Sequence, residues 1–183
     1  MVSQDPYMAE VFPLPPLTAY KRQKNIKDFI IKAKVIQKKR KNKRYIKGMK
    51  KCGKSCGACP YIQEGNIIKC EKFTWNISKP LNCETKNTVY MIQCTKERCN
   101  KNYIGETNRA LKQRFLEHKR YADNKIITQA TGEHFNLPGH SRNNMKITII
   151  EQVKKQDQSY RKEREKYFIK KFNTFYQGIN KQP

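Results

Sequence analysis

Five side chains able to do acid–base and anion chemistry lie where a folded chain would bury them. Tyr90 and Tyr103 sit in two apolar, β-branched runs, TVYMIQC (Thr88–Cys94) and NYIGET (Asn102–Thr107). Arg114 and His118 are four residues apart, so on a helix they share a face with Ala110. Glu165 precedes Phe168, Ile169 and Phe172 by three, four and seven residues, which puts a carboxylate on an apolar helical face. Such a carboxylate is costly unless it is paired or binds a metal. If the tyrosines point to one face of a sheet, two phenols meet a guanidinium, an imidazole and a carboxylate. That set suits phosphodiester hydrolysis. Glu165 would hold a hydrated Mg²⁺ that stabilises charge and the leaving oxygen. Arg114 would clamp the non-bridging oxygens, and a phenol would orient or deprotonate the attacking water. Taken singly, each residue has an ordinary explanation: strand tyrosines, a surface arginine, a glutamate paired with Arg161 one turn earlier. Only the constellation carries the reading.

A second set of residues has the types and spacing of zinc ligands. Zinc takes four Cys or His side chains in a tetrahedron, commonly from two short hooks. Cys94 and Cys99 flank the turn between the two tyrosine-bearing runs, and His134 and His140 bracket the bend at Pro138-Gly139. Together they make a Cys2His2 candidate. Upstream, Cys52, Cys56 and Cys59 form another cluster, whose fourth ligand is Cys70 or Cys83; spacing does not choose between them. The segment around these cysteines holds few aliphatic residues and would need a metal staple to fold.

The elements that must position these groups follow from periodicity. TVYMIQC and NYIGET read as two strands joined by a turn. NRALKQRFLEHKRYA reads as a helix with Asn108 as N-cap and Ala110, Leu111, Phe115 and Leu116 as its apolar stripe. MKITIIEQV (Met145–Val153) is a third strand. SYRKEREKYFIKKFNTF is a second helix, with Ser159 as cap and Tyr160, Phe168, Ile169 and Phe172 facing inward. The order β-β-α-β-α makes this an α+β domain.

Charge and composition bound the rest. The 183 residues carry 40 Lys and Arg against 15 Asp and Glu, a net charge of +25, which favours a polyanionic partner. No apolar run approaches the roughly 18 residues of a membrane span. The N-terminus has neither the charged start nor the apolar core of a signal peptide, so an intracellular protein with reduced cysteines is expected. Residues 20–51 hold fifteen Lys or Arg and a single acid, Asp28, with Ile26, Phe29, Ile30, Ala33 and Ile36 at helical spacing. This stretch reads as a phosphate-binding arm, and KKRKNKR (Lys38–Arg44) within it could serve nuclear import. The expected organisation is a Pro-containing then basic arm over 1–51, a cysteine-rich segment over 52–86, and the α+β domain over 87–183.

The ordered set resembles the GIY-YIG nuclease domain. Thr88–Tyr90 stands at the first signature, with Thr88 and Val89 where the family has glycine and isoleucine, and Tyr103–Gly105 at the second. RFLEH (Arg114–His118) and EKYFIKKFNTFYQGIN (Glu165–Asn180) match its arginine, histidine, glutamate and terminal asparagine. NTVYMIQCTKERCNKNYIGET, HFNLPGHS and CGKSCGACPYI resemble the endonuclease of Penelope-like retroelements, whose cysteines lie between the two signatures. The resemblance implies a three-stranded antiparallel sheet flanked by helices, with a zinc-binding insert and the basic arm attached. It implies a DNA endonuclease using Mg²⁺ or Mn²⁺, with structural Zn²⁺. Tyr90 and Tyr103 would activate the nucleophile, Arg114 would stabilise charge, and His118 would assist proton transfer or contact phosphate. Glu165 would bind the metal and Asn180 would support the site. It further implies a nuclear retroelement protein that nicks duplex DNA so that the 3′ end primes reverse transcription, with element RNA and a reverse transcriptase domain as partners. The rival is a non-catalytic zinc-dependent nucleic-acid-binding module derived from such a nuclease.

Overall fold

The structure, a computed structural model, describes residues 20–27, 46–54, 56–69, 74–153 and 157–182. The chain divides into two units, Met1–Arg44 and Tyr45–Pro183. In the first, Ile26 and Lys27 are helical; the expected basic helix beyond them, the import-type run and the Pro-rich start lie outside the described residues.

In the second unit, β5 (Thr88–Cys94) is the middle strand of a three-stranded antiparallel sheet, between β6 (Asn102–Thr107) and β7 (Met145–Gln152). All but one residue of β5 is buried. Both its faces are covered, so it reads as a continuous apolar run rather than an alternating one. The register sets Tyr90 opposite Gly105 and Ile92 opposite Tyr103. Gly105 and Tyr103 are two apart, so Tyr90 and Tyr103 lie diagonally on one face. The Tyr90 ring crosses β6 at Gly105, where a Cβ would stand 2.6 Å from the phenolic oxygen. Only glycine leaves room there.

The cysteine-rich segment does not stand apart. The strand just before it, β1 (Gly48–Lys50), pairs in parallel with its β4 (Pro80–Asn82), and β2 (Ile67–Lys69) pairs antiparallel with β3 (Thr74–Asn76). Ile62 bridges Ile147 at the edge of β7, and the Trp75 indole donates to the Ile150 carbonyl at 3.2 Å. Met49, Ile62, Ile68, Ile77 and Leu81 join the same core as β5. Met49 belongs to the run of basic residues that composition assigns to the arm.

Helix α1 (Leu111–Asp123) buries Leu111, Phe115, His118 and Ala122, a 3.6-residue stripe with an imidazole in it. Two expectations fail here. Leu116 is exposed, one position off that stripe. The N-cap is Ala110, without a side-chain bond, rather than Asn108. The first N–H groups are taken instead by the backbone: Leu111 donates to Thr85 at 3.1 Å and Lys112 to Cys83 at 2.9 Å. Tertiary contact thus does the work of a capping side chain.

A short helix, α2 (Ala130–His134), follows, and α3 (Gln158–Lys171) closes the domain. The α3 cap is Asp157, not Ser159; its carboxylate accepts from the Ser159 and Tyr160 N–H groups at 2.8 and 3.4 Å. The inward face is Arg161, Phe168 and Ile169. Tyr160 is exposed, against expectation, because Arg161 takes the inward place in that turn. Among the described residues no helix is long and apolar enough to cross a membrane.

Candidate active site

The sheet and α1 bring Tyr90, Tyr103, Arg114 and His118 together. The Tyr90 hydroxyl lies 2.7 Å from His118 Nε2 and accepts from Arg114 Nε at 3.0 Å. The His118 ring packs edge-on against both tyrosines, with centroids 5.7 and 5.3 Å away. Arg114 also lies close enough to Tyr103 for its charge to act on that phenol, so one guanidinium bears on both. Glu117 accepts from Arg114 Nη1 at 2.7 Å and fixes the fork from behind.

Burial sorts these groups. Tyr90 has no exposed surface, and burial pushes its phenol well above the usual tyrosine range. Burial, with Arg114 nearby, holds His118 well below the ordinary histidine value, so the imidazole is neutral at pH 7. Tyr103 is only partly buried and lines the cleft.

That cleft is about 470 Å³ and is lined by Tyr103, His118, Lys162, Glu165, Lys166 and Asn180, among others. Glu165 does not pair with Arg161. Arg161 is bound to Glu106, and Glu165 makes no ion pair among the described residues. Burial, then the neighbouring Glu106 carboxylate, raises the Glu165 carboxyl to about 7. A carboxylate so placed favours a bound cation. Asn180 reaches the outer edge of β6, accepting from the Ile104 N–H and donating to the Ile104 carbonyl, both at 2.8 Å. Its amide closes the strand edge between Tyr103 and Gly105 as a neighbouring strand would.

Both cysteine-containing sets converge. The ligand atoms of Cys94, Cys99, His134 and His140 lie within 4.8 Å of one another, and so do those of Cys52, Cys56, Cys59 and Cys83. Sulfur separations of 3.5 to 3.7 Å around Cys59 are far too long for a disulfide. They match the edge of a tetrahedron with Zn–S of about 2.3 Å. Cys83 completes this set; Cys70 lies outside the described residues. In the other set Cys99 Sγ is 3.5 Å from His134 Nε2. His140 Nδ1 faces the Pro138 carbonyl at 3.3 Å, while its Nε2 is buried without a partner. An orphaned nitrogen beside two sulfurs and a second imidazole fits a metal ion. Either set could hold one.

Three features escape a reading of sequence. Thr131 contacts His118 from α2, and no local pattern points to it. The Glu106–Arg161 pair joins residues 55 apart. Lys162 and Lys166 are four apart on the helix that carries Glu165, a spacing that does not stand out in so basic a chain.

The sheet order, and a cleft that carries a phenol, an imidazole, a carboxylate and several lysines, fit a nuclease domain. The GIY-YIG catalytic domain matches residues 86–180, just over half of the chain, and the protein belongs to that family. Among solved structures, the catalytic domain of the homing endonuclease I-TevI is similar at 24% identity, with a TM-score of 0.44, covering 54% of this chain and 100% of that one. No curated protein matches the chain.

Proposed function

We propose that the protein is a divalent-metal-dependent DNA endonuclease that nicks duplex DNA. The observation that carries this is the joint placement of Tyr103 and Glu165 on one cleft, with Arg114 behind it. Glu165 fits a hard cation: it is a single carboxylate with raised affinity for positive charge, on a cleft roomy enough for the metal's waters. Bound there, Mg²⁺ or Mn²⁺ would supply positive charge at the phosphate and leaving oxygen. The protein's own groups do the rest. Tyr103 orients the attacking water from the cleft side. Arg114, permanently charged, holds the Tyr90 phenol and places positive charge beside the cleft. Tyr90, buried, connects Arg114 to His118 and holds the two side chains in place. Asn180 keeps β6 from slipping.

The two cysteine-containing sets are structural Zn²⁺ sites in this reading. One clips the β5–β6 turn to the loop after α2. The other holds the segment whose Cys83 carbonyl caps α1.

The motifs shared with Penelope-like retroelements support a role in element integration in the nucleus, with a 3′ end released for reverse transcription and element RNA and a reverse transcriptase domain as partners. The test is direct. Supercoiled plasmid and Mg²⁺ should yield nicked circles whose 3′-hydroxyl a polymerase extends without phosphatase treatment. Nicks that block extension would remove the priming role, and intact plasmid would leave the non-catalytic binding module as the better account.

The basic arm supplies affinity for phosphates without sequence information. Because Met49 is a core residue, the truncation that tests this ends at Arg44. Removing residues 1–44 should flatten the dependence of log K on log salt, by about 0.9 per lost phosphate contact. An unchanged slope would show that the arm stays off the DNA.

A further inference from the structure

We propose that Thr131 is a positioning residue for the nuclease centre, holding His118 in the Nδ1–H tautomer, whose Nε2 accepts a hydrogen bond from the Tyr90 hydroxyl. The proposal rests on the nuclease reading for its kinetic consequence, but its structural content stands apart. Both ring nitrogens of His118 are engaged inside the protein: Nε2 at 2.7 Å from the Tyr90 hydroxyl, Nδ1 at 2.8 Å from Thr131 Oγ1. With both taken, the imidazole is fixed from two sides, and Thr131 and the Tyr90 hydroxyl together set its orientation.

The direction of this chain follows from its outer end. Arg114 Nε–H can only donate, and it donates to the Tyr90 oxygen. The phenolic O–H is then free to point at His118 Nε2, and in the proposed tautomer Nε2 is the unprotonated acceptor. The imidazole proton therefore sits on Nδ1 and is donated to Thr131 Oγ1. A buried imidazole with no acceptor at Nδ1 would have no reason to keep the proton there, and its ring could rotate or switch tautomer. Thr131 orients the ring as the carboxylate of a hydrolytic triad does, without adding a charge to a site already facing Glu165; its hydroxyl can accept or donate, so Thr131 and Tyr90 set the tautomer together.

The placement of Thr131 is itself held firmly. Gly132, the next residue, packs so close to the Ile126 carbonyl that a Cβ would overlap it. Asn136 Nδ2 donates to Ala122 at the end of α1 and to Gly132 in α2, at 3.1 and 2.7 Å. His134 lies three residues on, on the same side of α2 as Thr131, and meets Cys99. One turn of helix thus carries both the support of the catalytic histidine and one arm of the cysteine–histidine clip.

The chain has three histidines, so long-range ¹H–¹⁵N spectra of the full chain separate His118 from His134 and His140 with single-histidine variants. The wild type should show His118 as the Nδ1–H tautomer. The isosteric Thr131→Val variant should lose that fixed signature and lower the nicking kcat by about 10- to 100-fold with KM for DNA unchanged. Thr131→Ser should keep the signature and recover most of the rate. A wild-type proton on Nε2 overturns the proposal, as does a Thr131→Val variant with unchanged spectrum and rate. Should Thr131→Val not fold, a Thr131→Ser spectrum lacking the Nδ1–H signature overturns it equally. If no variant nicks DNA, the wild type included, the spectra still decide the role of Thr131 while the nuclease reading falls.

Discussion

Glu165→Gln is expected to cut Mg²⁺-dependent plasmid nicking by on the order of a thousandfold while leaving duplex binding nearly intact. Glutamine keeps the size of the side chain, so the cleft and its lining survive. It removes the charge, and with it the metal. DNA binding draws on the many lysines and arginines, including Lys162 and Lys166 on the cleft wall, and loses little. Undiminished nicking by this variant would exclude Glu165 as the metal ligand.

The acidity of Glu165 adds a pH signature. Burial and Glu106 raise the carboxyl to about 7, so below that pH a proton competes with the cation. The Mg²⁺ concentration for half-maximal nicking should fall about tenfold per pH unit up to pH 7, then level off. The sign for stability is the opposite. A carboxyl with a raised folded-state value favours the fold when protonated, so its contribution is present below the ordinary glutamate range and is lost as pH rises through about 7. Mg²⁺ should therefore raise Tm at pH 8 and do little at pH 5. A Mg²⁺ requirement that is flat between pH 6 and 8 would contradict the assignment.

Stripping the cysteine–histidine clip should have the second large effect. Purified protein is expected to carry close to two Zn²⁺ per chain, one for each converged set. Cys99→Ser should lose one and melt well below the wild type. Zinc binding is worth roughly 10–16 kcal/mol in small finger modules; losing even a quarter of that, about 3 kcal/mol, lowers Tm by about 6–12 °C for a chain of this size. Burial pushes the Cys94 thiol up to about 11, so without a cation this side chain stays protonated and contributes no thiolate charge. Nicking should fall too, since His134 shares α2 with Thr131. Unchanged zinc content and melting in Cys99→Ser would exclude the clip.

Much of this site is legible in the order of residues. The tyrosines lie in strands and Arg114, His118 and Glu165 on helices, because alternation and 3.6-residue spacing are local properties of the chain. The matched pair at Cys94 and Cys99 is also local, set by a single turn. The helix ends are not legible, for the opposite reason. Asn108 and Ser159 are good capping residues by type, but α1 borrows the carbonyls of Cys83 and Thr85, and Asp157 competes successfully at α3. Tyr160 and Leu116 fail as core residues because an arginine paired across the fold, and a histidine paired with a strand, occupy the inward positions.

From the chain order alone come the family, the identities of the reactive groups, and the elements that carry them. Tertiary structure alone sorts their surroundings. It buries Tyr90 and opens Tyr103 to the cleft, gives Arg161 to Glu106 and so leaves Glu165 without an ion pair among the described residues, and brings Cys83 to Cys52, Cys56 and Cys59. It also brings Thr131 to His118. Each of these outcomes turns on a contact between residues far apart in the chain, such as the 28 separating Tyr90 from His118. Such contacts depend on strand register and on how a helix rolls against its sheet, and neither is encoded in the spacing of neighbours.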